Sequence, residues 1–136
     1  MLDANRPDLI MGIVGSGLMG SGIAQIAAQA GIAVRLYDVQ PEAAVQARAT
    51  IAQTLAKLAE KGKLTAAAAE AASTRISVVE TLEQLSGCHL VVEAIIEDIE
   101  AKRDLFQRLE AIVDEDCILA TNTSSLSVTA IAAACR

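Results

Sequence analysis

The sequence predicts an α/β fold, a doubly wound parallel sheet in a single domain over residues 1–136. Three observations carry that expectation. Short apolar runs alternate with helix-period stretches from one end to the other. Hydrophobic residues make up 53% of the chain and aromatic ones 1%, so the core has to be built from Ala, Val, Ile and Leu, a mixture suited to buried parallel strands under Ala-rich helices. The first apolar run is followed at once by a glycine-rich loop.

In order, Ile10 to Val14 reads as a strand, and Gly17 to Ala30 as a helix with small residues on one side, stopped by Gly31. "AVRLYD" (33–38) alternates as a second strand. Pro41 opens a long helix over about 41–61, with Ile51, Leu55 and Leu58 as its apolar stripe and Gly62 as its stop. "TAAAAEAA" (65–72) is a further short helix with Thr65 as cap, so the connection carries more helix than a minimal crossover needs. "RISVV" (75–79), "HLVVEAI" (89–95) and "CILAT" (117–121) supply strands three to five, and "TLEQL" (81–85) is a helical turn. Residues 98–113 repeat Ile99, Leu105, Phe106, Leu109 and Ile112 at helical spacing. Ser127 is placed to cap a last helix running into Arg136. That helix would lead into another strand, so the chain is expected to be a fragment of a longer domain.

The net charge of −6 and pI near 4.7 argue against nucleic acid or an anionic membrane as the main partner, though local amides and a few lysines can still bind phosphate. Cys88, Cys117 and Cys135 show no CxxC spacing and His89 is the only histidine, so no metal site is expected. An odd cysteine count, with no apolar leader in "MLDANRPDLI" and no run of membrane-spanning length, predicts a cytoplasmic protein with reduced thiols.

"IVGSGLMGSG" places Gly15, Gly17 and Gly20 in G-x-G-x-x-G spacing, after a strand and opening a helix. The three have separable roles: a tight turn, close approach of a pyrophosphate, and close packing of helix on strand. The helix N-terminus adds unpaired amides and the positive end of its dipole. Asp38 follows the loop by about 20 residues, where an acid accepts hydrogen bonds from an adenosine ribose and repels a 2′-phosphate, so NAD is favoured over NADP. Arg35, within the second strand, does not rescue NADP.

"TNTSS" (121–125) follows the fifth strand at the carboxyl edge of the sheet, where small neutral donors suit a carbonyl or alcohol beside a nicotinamide; a polar loop ending in a helix cap explains the same letters. Thr54, Lys57 and Lys61 are three and four apart on one helix face, which we read as opposite the apolar stripe. A hydroxyl and two ammonium groups there can receive phosphates, or form an ordinary solvated face. Glu97 and Lys102 lie where the fourth strand passes to its helix, as ligands at the sheet edge or as a helix-start acid and a surface lysine.

With "GSGLMGSGIAQ", Asp38, "VVEAIIED" and "ATNTSSL" assembled, the chain resembles the L-3-hydroxyacyl-CoA dehydrogenase family, most of all its bacterial 3-hydroxybutyryl-CoA and 3-hydroxyadipyl-CoA types, over essentially its whole length. The resemblance implies a Rossmann domain for NAD, with a helical domain for dimerisation that this chain does not contain. It implies oxidation of an L-3-hydroxyacyl-CoA to its 3-ketoacyl-CoA in fatty-acid or aromatic-acid β-oxidation. It assigns the cofactor to Gly15, Ser16, Gly17, Leu18, Met19, Gly20, Asp38, Glu97 and Lys102, and coenzyme A to Thr54 and Lys61, beside which the helix face adds Lys57; the family usually has Ser where Thr54 stands. It makes Ser124 the residue that positions the substrate's 3-oxygen, with Asn122 in support. The family's base is a His in an H-F-F-N-P stretch, absent from these 136 residues, so this chain is expected to bind NAD without turnover. Two other readings stay open: an NAD-dependent hydroxyacid dehydrogenase that does not use coenzyme A, and a free-standing NAD(H)-binding or redox-sensing module. A purely structural oligomerisation domain leaves the loop, Asp38 and "TNTSS" unexplained.

Overall fold

The computed structural model describes residues 8–95 and 99–121. Five strands, β1 (Ile10–Val14), β2 (Ala33–Tyr37), β3 (Ile76–Val79), β4 (Leu90–Glu93) and β5 (Ile118–Thr121), form one sheet in the order β3-β2-β1-β4-β5. Every neighbouring pair is parallel. This is the Rossmann order, with its topological switch between β1 and β4. The expected alternation is present through β5, while the last helix and its cap Ser127 lie outside the described residues.

Four helices, α1 (Leu18–Gln29), α2 (Pro41–Glu60), α3 (Ala66–Thr74) and α4 (Ile99–Ile112), and one 3₁₀ turn (Leu82–Leu85) cover the sheet. Ile13, Val34, Leu36 and Ile76 face one core layer with alanines of α1, α2 and α3. Val14, Val79 and Val91 face the other, beneath Leu82, Leu85 and the α4 residues Leu105 and Leu109. Small alanines let α1 lie close to the strands; only bulky strand residues then remain to fill the layer, which is how a core with almost no aromatic rings closes.

Local signals hold where they rest on one residue's chemistry. Thr65 caps α3 by accepting from the Ala68 amide at 3.0 Å. Thr81 and Gln84 close a capping box on the 3₁₀ turn. The extra helix after β2 is real: α2 and α3 pack on each other before the chain returns as β3. β4 is shorter than the seven-residue apolar run predicts, ending at Glu93. The Ala94 amide still reaches the Val14 carbonyl at 2.8 Å, but the Ile95 amide turns back to the Glu93 carboxylate at 2.6 Å.

Candidate functional site

The glycine loop leaves β1 pinned to the end of β2, with the Gly15 amide donating to the Tyr37 carbonyl at 2.8 Å. Gly15 has φ +108°, and a Cβ there would stand 2.6 Å from the Ala94 carbonyl oxygen, so conformation and space both require glycine. A Cβ on Gly20, in the first turn of α1, would overlap the Gly15 carbonyl oxygen. Gly17 differs: its backbone is extended (φ −69°, ψ −166°), and a Cβ would meet nothing within 4 Å. Nothing in the protein's own packing forbids a side chain at 17. Gly17 is the N-cap of α1 and offers no capping side chain, so the open space lies before the first amides and the positive end of a helix. An anion fits that space. Leu18 (92% exposed) and Met19 (55% exposed) give the loop an apolar crown beside it.

Asp38 follows β2 and closes on the same loop. Its Oδ2 accepts from the Ser16 amide at 2.9 Å and the Ser16 hydroxyl at 2.7 Å, and Oδ1 accepts from the Gln40 amide at 2.9 Å. Burial pushes the carboxyl's pKa up, but the Gln40 and Ser16 hydrogen bonds outweigh it and hold Asp38 below the usual carboxylate value. The acid is therefore ionised at neutral pH. A carboxylate offers about four acceptor directions; three are filled, leaving one on Oδ1 for a ribose hydroxyl, and Ser16 can rotate to release another. Ser16 is thus nearly buried as the latch between loop and acid, with Ser21 in turn donating to its carbonyl at 2.9 Å.

On the other side of the switch point, Glu93 ends β4 in register with Val14 of β1 and Thr121 of β5. Its side chain is fully buried, as is that of Lys102 from the first turns of α4, and their charged atoms are 3.3 Å apart. Reading Lys102 as a surface lysine is therefore wrong: its head is enclosed against β4. Sequence reasoning passed over Glu93, although an acid inside an apolar strand was a signal. Lys102 carried one too, since 102, 105, 106 and 109 share the apolar face of α4.

Glu97, Asn122 and Ser124 lie outside the described residues. Thr54 is half-buried, and its hydroxyl donates to the Thr50 carbonyl at 3.0 Å; Lys57 and Lys61 are exposed at the end of α2. At 3.6 residues per turn these three sit roughly a quarter turn from the Ile51–Leu55–Leu58 stripe. The face flanks the stripe rather than opposing it, and Thr54 is half-buried for that reason. A groove of about 470 Å³ between α2 and α3 is lined by alanines with Glu60 and Glu70, and includes none of the three.

Arg35 donates to the Gln84 carbonyl at 2.9 Å, in register with Gly12 and Ser77 and away from Asp38, as the NAD preference requires. The Nδ1 of His89 accepts from the Ile10 amide at 3.0 Å, at the amino end of the sheet, so its ring closes the sheet far from the loop. Among the described residues no group of three or more His, Cys, Asp or Glu could hold a metal ion.

Residues 10–136 match the family model described as "3-hydroxyacyl-CoA dehydrogenase, NAD binding domain". A Bacillus subtilis (strain 168) protein named "Probable 3-hydroxybutyryl-CoA dehydrogenase" is 48% identical over 121 residues, which is 89% of this chain and 42% of that protein. The Escherichia coli (strain K12) 3-hydroxyadipyl-CoA dehydrogenase is 42% identical over 121 residues, 89% of this chain and 26% of its own length. Among solved structures, the 3-hydroxybutyryl-CoA dehydrogenase of Escherichia coli K12 superposes with a TM-score of 0.89 at 40% identity, over 93% of this chain and 27% of that one. The (S)-3-hydroxybutyryl-CoA dehydrogenase of Ralstonia eutropha gives 0.86 at 38%, over 92% and 44%. The chain thus spans less than half the length of these relatives.

Proposed function

The chain belongs to the 3-hydroxyacyl-CoA dehydrogenase family, as an NAD-binding domain, and on that premise we propose that it is the cofactor-holding part of an enzyme that oxidises an L-3-hydroxyacyl-CoA to the 3-ketoacyl-CoA. The observation that carries the reading is the union of Ser16 and Asp38 at the head of a glycine loop whose middle glycine guards open space. NAD, when bound, supplies the hydride acceptor.

In this reading the α1 amides and Gly17 take the pyrophosphate, Leu18 and Met19 lie along it, and Asp38 takes the adenosine ribose. Glu97 serves the second nucleotide half, and Ser124, supported by Asn122, positions the substrate's 3-oxygen. Lys102, assigned to that half by the resemblance, has its ammonium enclosed beside Glu93 and does not reach it by direct contact. Thr54, Lys57 and Lys61 receive phosphates of coenzyme A. Lys57 is about 24 Å along α2 from its start beside Asp38, by the helical rise, so the acyl-CoA would lie lengthwise along the excursion helix. The alcohol proton needs a base. His89 is not that base, because its Nδ1 is engaged at the opposite end of β4; the resemblance assigns the role to a histidine that residues 1–136 do not contain. The domain reading over 1–136, a cytoplasmic setting and a homodimeric parent protein belong to the same proposal. No helix among the described residues is long and apolar enough to cross a membrane.

The test is binding of NADH and of acetoacetyl-CoA to the wild type and to the Lys57→Ala/Lys61→Ala variant. NADH affinity is expected to persist and acetoacetyl-CoA affinity to fall. Unchanged acetoacetyl-CoA affinity with intact NADH binding removes the coenzyme A assignment and leaves a hydroxyacid dehydrogenase of another kind.

A further inference from the structure

Glu93 has no role in the cofactor contacts described so far, yet among the described residues it is an acid fully buried at the switch point. It ends β4, and its two carboxylate oxygens point to different elements. Oε2 accepts from the Ile95 amide at 2.6 Å, inside the turn that leaves β4. Oε1 stands 3.3 Å from the Lys102 ammonium, on α4. One carboxylate therefore fastens the exit turn to the helix that follows it. That turn is also a wall of the phosphate loop, since the Ala94 carbonyl lies where any side chain on Gly15 would have to go, and the Ala94 amide is held by the Val14 carbonyl.

Burying two charges is costly, and an apolar pair of similar volume would serve stability as well or better. Retaining the pair at this position calls for a gain other than stability. In a doubly wound sheet of this order the β1–β2 side holds one nucleotide and the β4–β5 side the other. Asp38 is on the first side. The Glu93–Lys102 pair is on the second, behind the turn by which the chain leaves β4.

We propose that Glu93 is a positioning residue for the nicotinamide half of the cofactor. Together with Lys102 it sets the backbone of residues 93–95 against the phosphate loop, and it does not itself touch the adenosine half. The proposal rests on the reading of this crevice as the NAD site. Its consequence is a split. Adenosine diphosphate, which carries the adenosine ribose and pyrophosphate but no second nucleoside, should not sense the pair. NADH should.

The experiment compares NADH and adenosine diphosphate binding by calorimetry in the full chain, for the wild type, Glu93→Gln and the double variant Glu93→Gln/Lys102→Met, with thermal melts alongside. Glu93→Gln takes one carboxylate from the buried Lys102 ammonium and lowers the melting temperature, so the double variant, which removes both charges together, keeps the question open to measurement. The expected result for the double variant is a near-native melting temperature, adenosine diphosphate binding within about twofold of wild type, and NADH binding weaker by about tenfold, the usual scale for loss of preorganisation. Equal weakening of both ligands, or no weakening of either, makes the pair structural and overturns the proposal. A wild type that binds neither ligand overturns the NAD reading and the proposal with it.

Discussion

Replacing Asp38 by Ala removes three accepted hydrogen bonds at once: from the Ser16 amide, the Ser16 hydroxyl and the Gln40 amide. Each bond to a charged acceptor contributes up to about 1.5–3 kcal/mol when buried. Asp38 is only partly buried and the freed amides can be rehydrated, so the three together should cost about 2 kcal/mol of stability. The cofactor effect is larger, because one or two ribose hydroxyls also lose a charged acceptor. That amounts to about 1.5–3 kcal/mol, a roughly ten- to hundredfold rise in the NADH dissociation constant. Removing the carboxylate also removes its repulsion of a 2′-phosphate, so NADPH should lose far less and the preference between the two cofactors should collapse. Calorimetric titration with both nucleotides reads this directly. A variant that keeps NADH affinity within about twofold of wild type while remaining folded would refute the assignment, because Asp38 is the carboxylate that bonds to the loop among the described residues. The pH dependence has a definite sign. The folded carboxyl is held below its ordinary value of 3.8, so the stability Asp38 lends is full above that value and is lost as the pH falls through the lower folded value. The stability difference between wild type and Asp38→Ala should accordingly shrink below pH 3.8.

Further outcomes follow from the same geometry. Gly17→Ala should leave the melting temperature unchanged, because the methyl meets nothing within 4 Å, yet weaken NADH binding where the pyrophosphate must approach. Gly20→Ala should do the reverse first, costing about 3 kcal/mol or more through overlap with the Gly15 carbonyl, roughly 10 °C in a melt. The Lys57→Ala and Lys61→Ala changes should each weaken acetoacetyl-CoA binding by roughly three- to tenfold, an effect that fades at high salt because both ammonium groups are exposed. Burial pushes the Cys88 thiol up to about 11, against an opposing pull from Arg35. Iodoacetamide at pH 8 should therefore spare it in the native state. The stability it lends is complete below its ordinary value of 9.0 and is lost as the pH rises from there to about 11, a slope that Cys88→Ala should abolish.

The fold was largely legible because its signals are local and periodic. A glycine directly after β1, a glycine shortly before β2, a proline at the start of α2 and a threonine before α3 each act within a turn or two of chain. That the glycine loop, the start of α1 and Asp38 would meet was legible for the same reason: they are adjacent elements at fixed spacing. The rest depends on distant atoms. That Ser16 would fill one oxygen of Asp38 is a contact across 22 residues that spacing alone does not give. The early end of β4 depends on a carboxylate turning back to an amide, which hydropathy cannot register. The surface alternative for Lys102 failed because charge was allowed to outweigh its place on the apolar face of α4, and the placement of Thr54 opposite the stripe failed because a shared face is not the same as an opposed one.

The central claim is that this chain holds NAD through a loop latched to Asp38, and its most direct test is a titration of the wild type with NADH beside one with NADPH, followed by nicotinamide fluorescence. The account predicts saturable NADH binding at a single site, with NADPH binding weaker by at least about tenfold because the Asp38 carboxylate repels a 2′-phosphate and Arg35 is engaged at the Gln84 carbonyl. Equal affinity for the two nucleotides, or no saturable binding of NADH, would contradict it.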